Sequence, residues 1–320
     1  MKPVFRAGLN YRIDSSYTSI RASFGQGYRF PTIGERYLTI KVGDYGFYPN
    51  PNLEAETSWN VEIGINQYYG IKEVLKGFID IAAYYQHYNN YVEFFMGPWL
   101  PSEPTPAKQY GFKFFNTGPA RIMGTDLSLG GEVKIIKNLK MSYFFAYTYC
   151  HPQVLDTNKE FTSTASMTYT YVNTSTDASN QIMKYRLEHV LKADLGVTIF
   201  DCVSVGFSIQ HYSLMKNVDR FFYTLDRYSS IAPRPIRKSE TAYPYDGLEE
   251  YMKTHNKGTT IYGLHASFEF RNVKLAVIVN NLFNKEYSLR PMCPEAPRLT
   301  TLQLTYKFTE GEPFFPKKEL

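Results

Sequence analysis

Leu299-Thr300-Thr301-Leu302-Gln303-Leu304-Thr305-Tyr306-Lys307-Phe308 sets Leu302, Leu304, Tyr306 and Phe308 on one side of the chain and Thr301, Gln303, Thr305 and Lys307 on the other. A period of two is the signature of a β-strand, whose successive side chains point to opposite faces. Working back toward the N-terminus, Val273, Leu275, Val277 and Val279 alternate with Lys274, Ala276, Ile278 and Asn280. Leu191, Ala193, Leu195, Val197 and Ile199 likewise alternate with Lys192, Asp194, Gly196 and Thr198. Similar segments near 4–13, 17–25, 57–68, 77–95, 112–135, 139–149, 203–212 and 260–270 bring the count to about eleven strands.

The connections carry a second regularity. Those at 14–16, 71–76, 136–138, 201–202 and 271–272 are short, and those at 26–56, 96–111, 150–185, 213–259 and 284–297 are long. Short and long alternate throughout. In an antiparallel meander every second connection lies at the same end, so all turns gather at one rim and all long loops at the other. That asymmetry belongs to outer-membrane β-barrels, whose long loops face outward. A soluble β-sandwich is the alternative, but its strands usually run about five or six residues and it has no reason to segregate its loops by length.

Composition fits the same architecture. Hydrophobic residues make up 43%, yet mean hydropathy is -0.35. No apolar run approaches the roughly twenty residues of a membrane helix, and a barrel needs none. The 28 Tyr and 23 Phe are many for this length. Pairs such as Tyr84-Tyr85, Phe94-Phe95, Tyr147 with Tyr149, and Phe221-Phe222-Tyr223 fall near strand ends, where interfacial girdles collect amphipathic rings; ordinary strand propensity accounts for any one of them equally well. The net charge of +5 comes with no basic run and no nucleic-acid motif, so no nucleic-acid partner is expected. Of the three cysteines, Cys202 lies at the turn rim and Cys150 and Cys293 at the loop rim. Only a Cys150–Cys293 pair is topologically conceivable, and nothing in the spacing marks a disulfide framework, so all three are read as unpaired. There is no CxxC or His-spaced metal motif, no nucleophile elbow and no phosphate-cradling glycine loop, and no cofactor or catalysis is expected.

Specific family features begin at 19–64. Ser19-Ile20-Arg21-Ala22-Ser23-Phe24-Gly25-Gln26-Gly27-Tyr28-Arg29-Phe30-Pro31 leads through Glu35 to Asn50-Pro51-Asn52-Leu53-Glu54-Ala55-Glu56-Thr57. This stretch resembles the TonB-dependent outer-membrane receptors, which carry a strand ending in Gly-aromatic-Arg-x-Pro, then an extracellular loop, then Asn-Pro-Asn/Asp-Leu and a Glu-Thr/Ser opening the next strand. Further matches are Asn116 through Gly124-Thr125-Asp126, the run Asn280-Asn281-Leu282-Phe283-Asn284-Lys285-Glu286-Tyr287, and Pro297-Arg298 before a last strand ending in Phe308. The chain departs from the pattern at Phe30, where the family often has Ala, at Asp126 for Glu, and at Ala296-Pro297 for Pro-Gly.

The resemblance implies an all-β fold: an antiparallel transmembrane β-barrel, of which residues 1–308 form about the C-terminal half, roughly 11 of about 22 strands. Residues 309–320 read as a C-terminal tail; no signal peptide, TonB-contacting segment or plug domain is recognised in this chain. Implied partners are the TonB complex, through the plug region of a parent receptor, the barrel-assembly machinery, which reads the terminal aromatic matched by Phe308, outer-membrane lipid, and a small-molecule chelate. The motif residues read as scaffold. Asn50 and Pro51 initiate a turn, Arg29 is placed to pair with Glu35 or Glu56, and Asn284 to Tyr287 lead the chain into its last loop. Lumen-facing Asn60, Glu62, Asn66, Lys192, Asp194 and Gln303 are expected to contact a plug.

Ligand contact is expected from loop 213–259, through Arg220, Arg227, Arg234 and Arg237 with Phe222, Tyr223 and Tyr243, a mixture suited to anionic aromatic chelates. The competing reading is a solvated loop that uses its aromatics for its own packing. Residues 32–49 lack the histidine that haem receptors of the family often carry there, and His151, His255 and lumen-facing His265 lie elsewhere. A ferric siderophore or cobalamin-type ligand therefore ranks above haem. Two further readings stay open: a truncated or split-gene product that transports nothing, and a soluble sandwich binding module.

Overall fold

The turns fix the meander. In a computed structural model of the chain, which describes residues 3–42, 45–99, 110–164, 167–223, 248–255, 257–290 and 293–308, Phe200 and Asp201 both take positive φ (52° and 54°) and Cys202 N–H donates to the Ile199 carbonyl at 3.1 Å. Positive φ at both central residues is the tight hairpin turn whose twist matches its strands.

Eleven strands follow one another in the main sheet: β1 (Arg6–Ile13), β2 (Thr18–Arg29), β5 (Glu56–Ile71), β6 (Leu75–Pro98), β7 (Tyr110–Ile136), β8 (Leu139–Val154), β11 (His189–Ile199), β12 (Val203–Tyr212), β13 (Thr259–Phe270), β14 (Val273–Asn280) and β17 (Leu299–Tyr306). Each pairs antiparallel with the next. The sheet is open, with β1 and β17 at its edges. The long connections hold the remaining elements: α1 (Ile33–Tyr37), β3 (Ile40–Val42), β4 (Tyr45–Tyr48), β9 (Thr162–Ser163), β10 (Thr168–Tyr169), α2 (Tyr171–Thr174), α3 (Leu248–His255), β15 (Ser288–Arg290) and β16 (Cys293–Pro294). Among the described residues the departure from an all-antiparallel sheet is β4, which pairs parallel with β7 at Gly46↔Gly111. Glycine is required there, because a Cβ on Gly111 would sit 2.2 Å from the Gly46 carbonyl oxygen.

Register separates the faces. Phe24, Val61 and Tyr85 lie opposite one another, as do Ile20, Ile65 and Ile81, and this side remains exposed and apolar across to Leu275 and Leu304. The other side is polar. Arg21 passes over Gly64 to meet Asp80 with two bonds of 2.7 and 2.9 Å and Glu62 at 3.2 Å, while Asn66 donates to Asp80 at 3.0 Å. His265 crosses Gly206 in the same way to reach Asp194 at 3.0 Å. Such alternation is apolar-out and polar-in, as a lipid-embedded wall requires. Facing lipid on one side and a lumen on the other, that wall needs no core of its own.

Several strands run past their expected ends. β6 has 24 residues and β7 has 27. At about 3.3 Å per residue and a tilt near 45°, these rise roughly 55–65 Å, against an apolar band of about 25 Å. The surplus projects beyond the membrane. Phe95 is therefore buried in the cap above the wall (2% exposed), as is Phe222 (3%), and neither Phe94-Phe95 nor Phe221-Phe222-Tyr223 belongs to an interfacial girdle. Of Tyr84-Tyr85, only Tyr85 shares the apolar face. Tyr147 and Tyr149 do lie on that face. At the opposite rim the Tyr69 and Tyr143 hydroxyls meet at 2.6 Å across Gly77 and Gly131.

Candidate functional site

The cap is the part of the molecule with a hydrophobic interior. Met96, Met215, Val218, Phe222 and Met252 form one cluster, Ala120, Val154, Tyr171 and Met183 a second, and Phe95, Phe115 and Tyr169 a third. All three pack the 155–223 segments and α3 onto the projecting ends of β6, β7 and β8.

Charges are buried among these clusters. Asp219 (side chain 1% exposed) accepts from Lys184 Nζ at 2.7 Å, from the Tyr185 hydroxyl at 2.5 Å and from the Met96 N–H at 3.1 Å. Lys184 (side chain 5% exposed) also donates to Thr174 Oγ1 at 2.8 Å and stands 5.1 Å from the centre of the Phe95 ring. Burial pushes the Tyr185 hydroxyl well above its ordinary value, and the neighbouring Asp219 carboxylate adds to this. Asn217 donates to the Tyr171 hydroxyl at 3.0 Å and to the Ile182 carbonyl at 2.8 Å. Burial likewise raises the Tyr171 hydroxyl, to about 12. At the rim, Glu188 bonds Lys216 and His151 (2.8 Å). Burial would raise the Glu188 carboxyl, but the Lys216 and His151 hydrogen bonds outweigh it and hold it below the usual range.

The first long connection is tied down by motif residues. Arg29 bonds Glu56 and, at 2.9 Å through both carboxylate oxygens, Glu35, which completes the capping box of α1 with Thr32. Glu56 also accepts from the Val92 N–H at 2.5 Å. Asn50 Oδ1 accepts from the Asn52 N–H at 3.3 Å and its Nδ2 reaches the Phe114 carbonyl at 2.8 Å. The Pro51 carbonyl accepts from Arg36 at 3.0 Å, and Leu53 is buried. Asn116 stitches this turn to the wall through the Glu54 N–H and carbonyl at 2.9 and 3.1 Å and the Asn90 carbonyl at 2.9 Å. Pro31 is half-buried just before α1.

In the last connection Asn281, 4% exposed, bonds the Lys285 N–H and carbonyl, both at 2.8 Å, and Asn284 accepts from the Arg298 N–H at 2.8 Å. Phe283 packs edge-on to Tyr262 at 5.4 Å, and the Tyr287 carbonyl accepts from the Glu295 N–H at 2.9 Å. Phe308 is exposed against Tyr306.

A cavity of about 420 Å³ lies in the cap, lined by Arg220, Tyr223, Glu249 and, from the 172–178 segment, Val172, Ser175, Thr176 and Ala178. Two of the loop residues expected at a ligand, Arg220 and Tyr223, meet there. Phe222 points into the Met96 cluster instead, as the competing reading of packing aromatics anticipates. Arg227, Arg234, Arg237 and Tyr243 lie outside the described residues. Cys150, Cys202 and Cys293 are all free.

The model of the "TonB dependent receptor-like, beta-barrel" family matches residues 3–282. This chain belongs to the TonB-dependent receptor β-barrel family. Hemoglobin and hemoglobin-haptoglobin-binding protein C of Haemophilus influenzae is 25% identical to this barrel over 148 residues, 45% of the chain but 13% of that protein. Protein B of the same organism matches to the same extent. Among solved structures, the copper transporter OprC superposes with a TM-score of 0.57 at 15% identity, over 95% of this chain and 39% of that one. A double mutant of the Serratia marcescens hemophore receptor HasR, in complex with its hemophore HasA and heme, gives 0.56 at 16% over 95% and 39%. A ferric enterobactin receptor (PfeA) mutant from Pseudomonas aeruginosa, in complex with enterobactin, gives 0.55 at 17% over 95% and 40%. The TonB-dependent receptor chain thus spans about two-fifths of these barrels' full chains. The family consists of Gram-negative outer-membrane receptors for ligand uptake.

The buried network of Lys184, Asp219, Tyr185, Asn217 and Tyr171 was not legible as a site. Its residues fall in segments read as loops, and the available signal was indirect: strands twice as long as a membrane needs.

Proposed function

We propose that this chain supplies part of the outer-membrane wall and of the extracellular cap of a TonB-coupled importer, and that the cap receives a ferric siderophore-type chelate. The cap carries this reading. Its loops are held by buried charge pairs and three apolar clusters, so Arg220 and Tyr223 are presented from a rigid base. A cation beside an aromatic ring suits an anionic aromatic chelate. His87, His151, His189 and His211 lie on the lipid-facing side and His265 is paired to Asp194 near the turn rim, which leaves His255 of α3 as the histidine of the cap.

One observation favours a second reading. The curated relatives are hemoglobin-binding proteins, which makes a haem protein the competing cargo. The test uses the intact receptor in iron-starved cells, comparing uptake of a radiolabelled ferric catecholate with growth on haemoglobin, for wild type and Arg220→Ala/Tyr223→Ala. Loss of chelate uptake in the variant supports the proposal, whereas growth on haemoglobin with no chelate uptake replaces it with the second reading. A heat-modifiable band in the outer-membrane fraction is expected in either case, and its absence would point to a product that transports nothing.

A further inference from the structure

Lys184 and Asp219 are 35 positions apart, yet their side chains meet at 2.7 Å and are only 5% and 1% exposed. Backbone pairing fixes both. The Arg220 N–H donates to the Thr174 carbonyl at 2.8 Å, the Thr176 N–H to the Val218 carbonyl at 3.0 Å and the Tyr185 N–H to the Asn217 carbonyl at 2.9 Å. An amine and a carboxyl are thus held together in advance, which meets the main entropic cost of joining them. With Nζ 2.7 Å from Oδ1, the Asp219 carboxyl carbon lies within about 3–4 Å of the amine, the range of a near-attack geometry.

The surroundings give the two carboxyl oxygens different tasks. Oδ1 faces the amine. Oδ2 accepts from the Tyr185 hydroxyl at 2.5 Å and from the Met96 N–H at 3.1 Å, two donors placed to hold negative charge when the carbon becomes tetrahedral. Burial pushes the Tyr185 hydroxyl well above its ordinary value, so it stays a donor. On the amine's other side, Thr174 Oγ1 donates its own proton to the Thr170 carbonyl at 2.6 Å and accepts from Nζ at 2.8 Å. The Phe95 ring, 5.1 Å from Nζ, and Phe94, stacked on Tyr185 at 5.9 Å, keep water away.

We propose that Lys184 and Asp219 condense into an intramolecular isopeptide bond that ties two long connections of the cap together covalently. Proton transfer along the hydrogen bond gives a neutral amine and acid, the forms that burial favours. Nζ attacks the carboxyl carbon, charge collects on Oδ2 between Tyr185 and Met96, and the bond from carbon to Oδ1 breaks. Two of the three ammonium protons leave on Oδ1 as water and the third stays on the amide nitrogen. One ammonium and one carboxylate become one amide and one water, with no oxidant, reductant or further reactant. The product removes two opposite charges from an interior where each is costly to hold, and a site closed to water slows hydrolysis. The ion pair is the reactant state, and the link is a property of the cap whatever the cargo.

The test is mass spectrometry of the intact wild-type receptor purified from outer membranes, so that no variant has to fold. The denatured polypeptide should weigh about 18 Da less than its processed sequence. Trypsin should fail to cut after Lys184 and should release residues 160–186 joined to 217–220 as one branched peptide. Lys184→Arg keeps a cation beside Asp219 but cannot condense, and should restore the free 217–220 peptide. Tyr185→Phe removes one Oδ2 donor with little change of shape, and should slow linkage about a hundredfold in pulse-labelled cells. A wild-type receptor of full mass that yields only the unbranched 217–220 peptide overturns the proposal, even where uptake is intact. A branched peptide that persists in Lys184→Arg overturns it equally.

Discussion

Breaking the Lys184–Asp219 pair should open the cap while leaving the wall intact. Both groups are nearly inaccessible, at 5% and 1% exposure. Asp219→Leu leaves the Lys184 ammonium against Thr174 Oγ1 and the Phe95 ring with no direct carboxylate partner, the next carboxylate, Glu93, being engaged by Arg186, and it strips the Met96 N–H and the Tyr185 hydroxyl of their acceptor. Removing one member of such a pair costs about 3–5 kcal/mol, a factor of about 10²–10⁴ in the local opening equilibrium. Hydrogen exchange reads this directly at the Arg220 N–H, bonded to the Thr174 carbonyl, and at the Tyr185 N–H, bonded to the Asn217 carbonyl; the Ile63 amide in the wall is the internal control. Lys184→Met should open the same region. The double variant Lys184→Met/Asp219→Leu should recover part of the protection, because no buried charge is left to neutralise while the Met96 N–H and the Tyr185 hydroxyl still lack their acceptor. Loss of less than about tenfold in protection, or a double variant as open as either single one, would refute the reasoning.

Other perturbations probe the remaining contacts. Arg29→Ala leaves the Glu56 carboxylate (side chain 8% exposed) short of its cation, at a cost of about 1–3 kcal/mol, and tryptic cleavage after Arg36 and Lys41 should accelerate; unchanged cleavage would remove Arg29 as the anchor. Gly111→Val drives a Cβ into the Gly46 carbonyl and should undock β3 and β4, speeding tryptic cleavage after the already exposed Lys41. By contrast Gly206→Val meets only the movable His265 ring and should leave heat-modifiable migration intact. The rim near Glu188 should be acid-labile. Its folded carboxyl lies below its unfolded value, so its contribution is complete above the ordinary carboxylate range near pH 4.3 and is lost as pH falls through the lower folded value. Exchange at the Cys150 N–H, bonded to the Glu188 carbonyl, should rise below about pH 4, and Glu188→Gln should flatten that dependence.

The wall was readable residue by residue and the cap was not. Leu302, Leu304, Val273 and Val277 repeat one instruction, apolar every second residue, and all eleven main strands follow from it. Arg29, Asn50 and Asn116 were visible as motif residues, and the structure gives each a hydrogen-bonding partner. Lys184 and Asp219 carry no comparable periodicity: they are 35 positions apart in two connections, and each is intelligible only once the other is placed beside it. Phe222 shows the limit from the other side. An aromatic in a long polar loop reads equally as a ligand contact or as packing, and only its burial decides.

This division follows from where each part finds its solvent. The wall is sandwiched between lipid and lumen, so every strand residue has a fixed medium on one side and composition alone can specify it. Where the lumen side carries polar groups, the same device recurs: a long nitrogen-bearing side chain crosses a strand at a glycine to an aspartate, Arg21 over Gly64 to Asp80 and His265 over Gly206 to Asp194. The cap stands in water with no such template, and must build an interior from its own loops. It does so by burying Met96, Tyr171, Phe95 and a compensated ion pair on strands that continue past the membrane. A receptor family that shares a barrel at 15–17% identity is what such a separation of wall from cap permits.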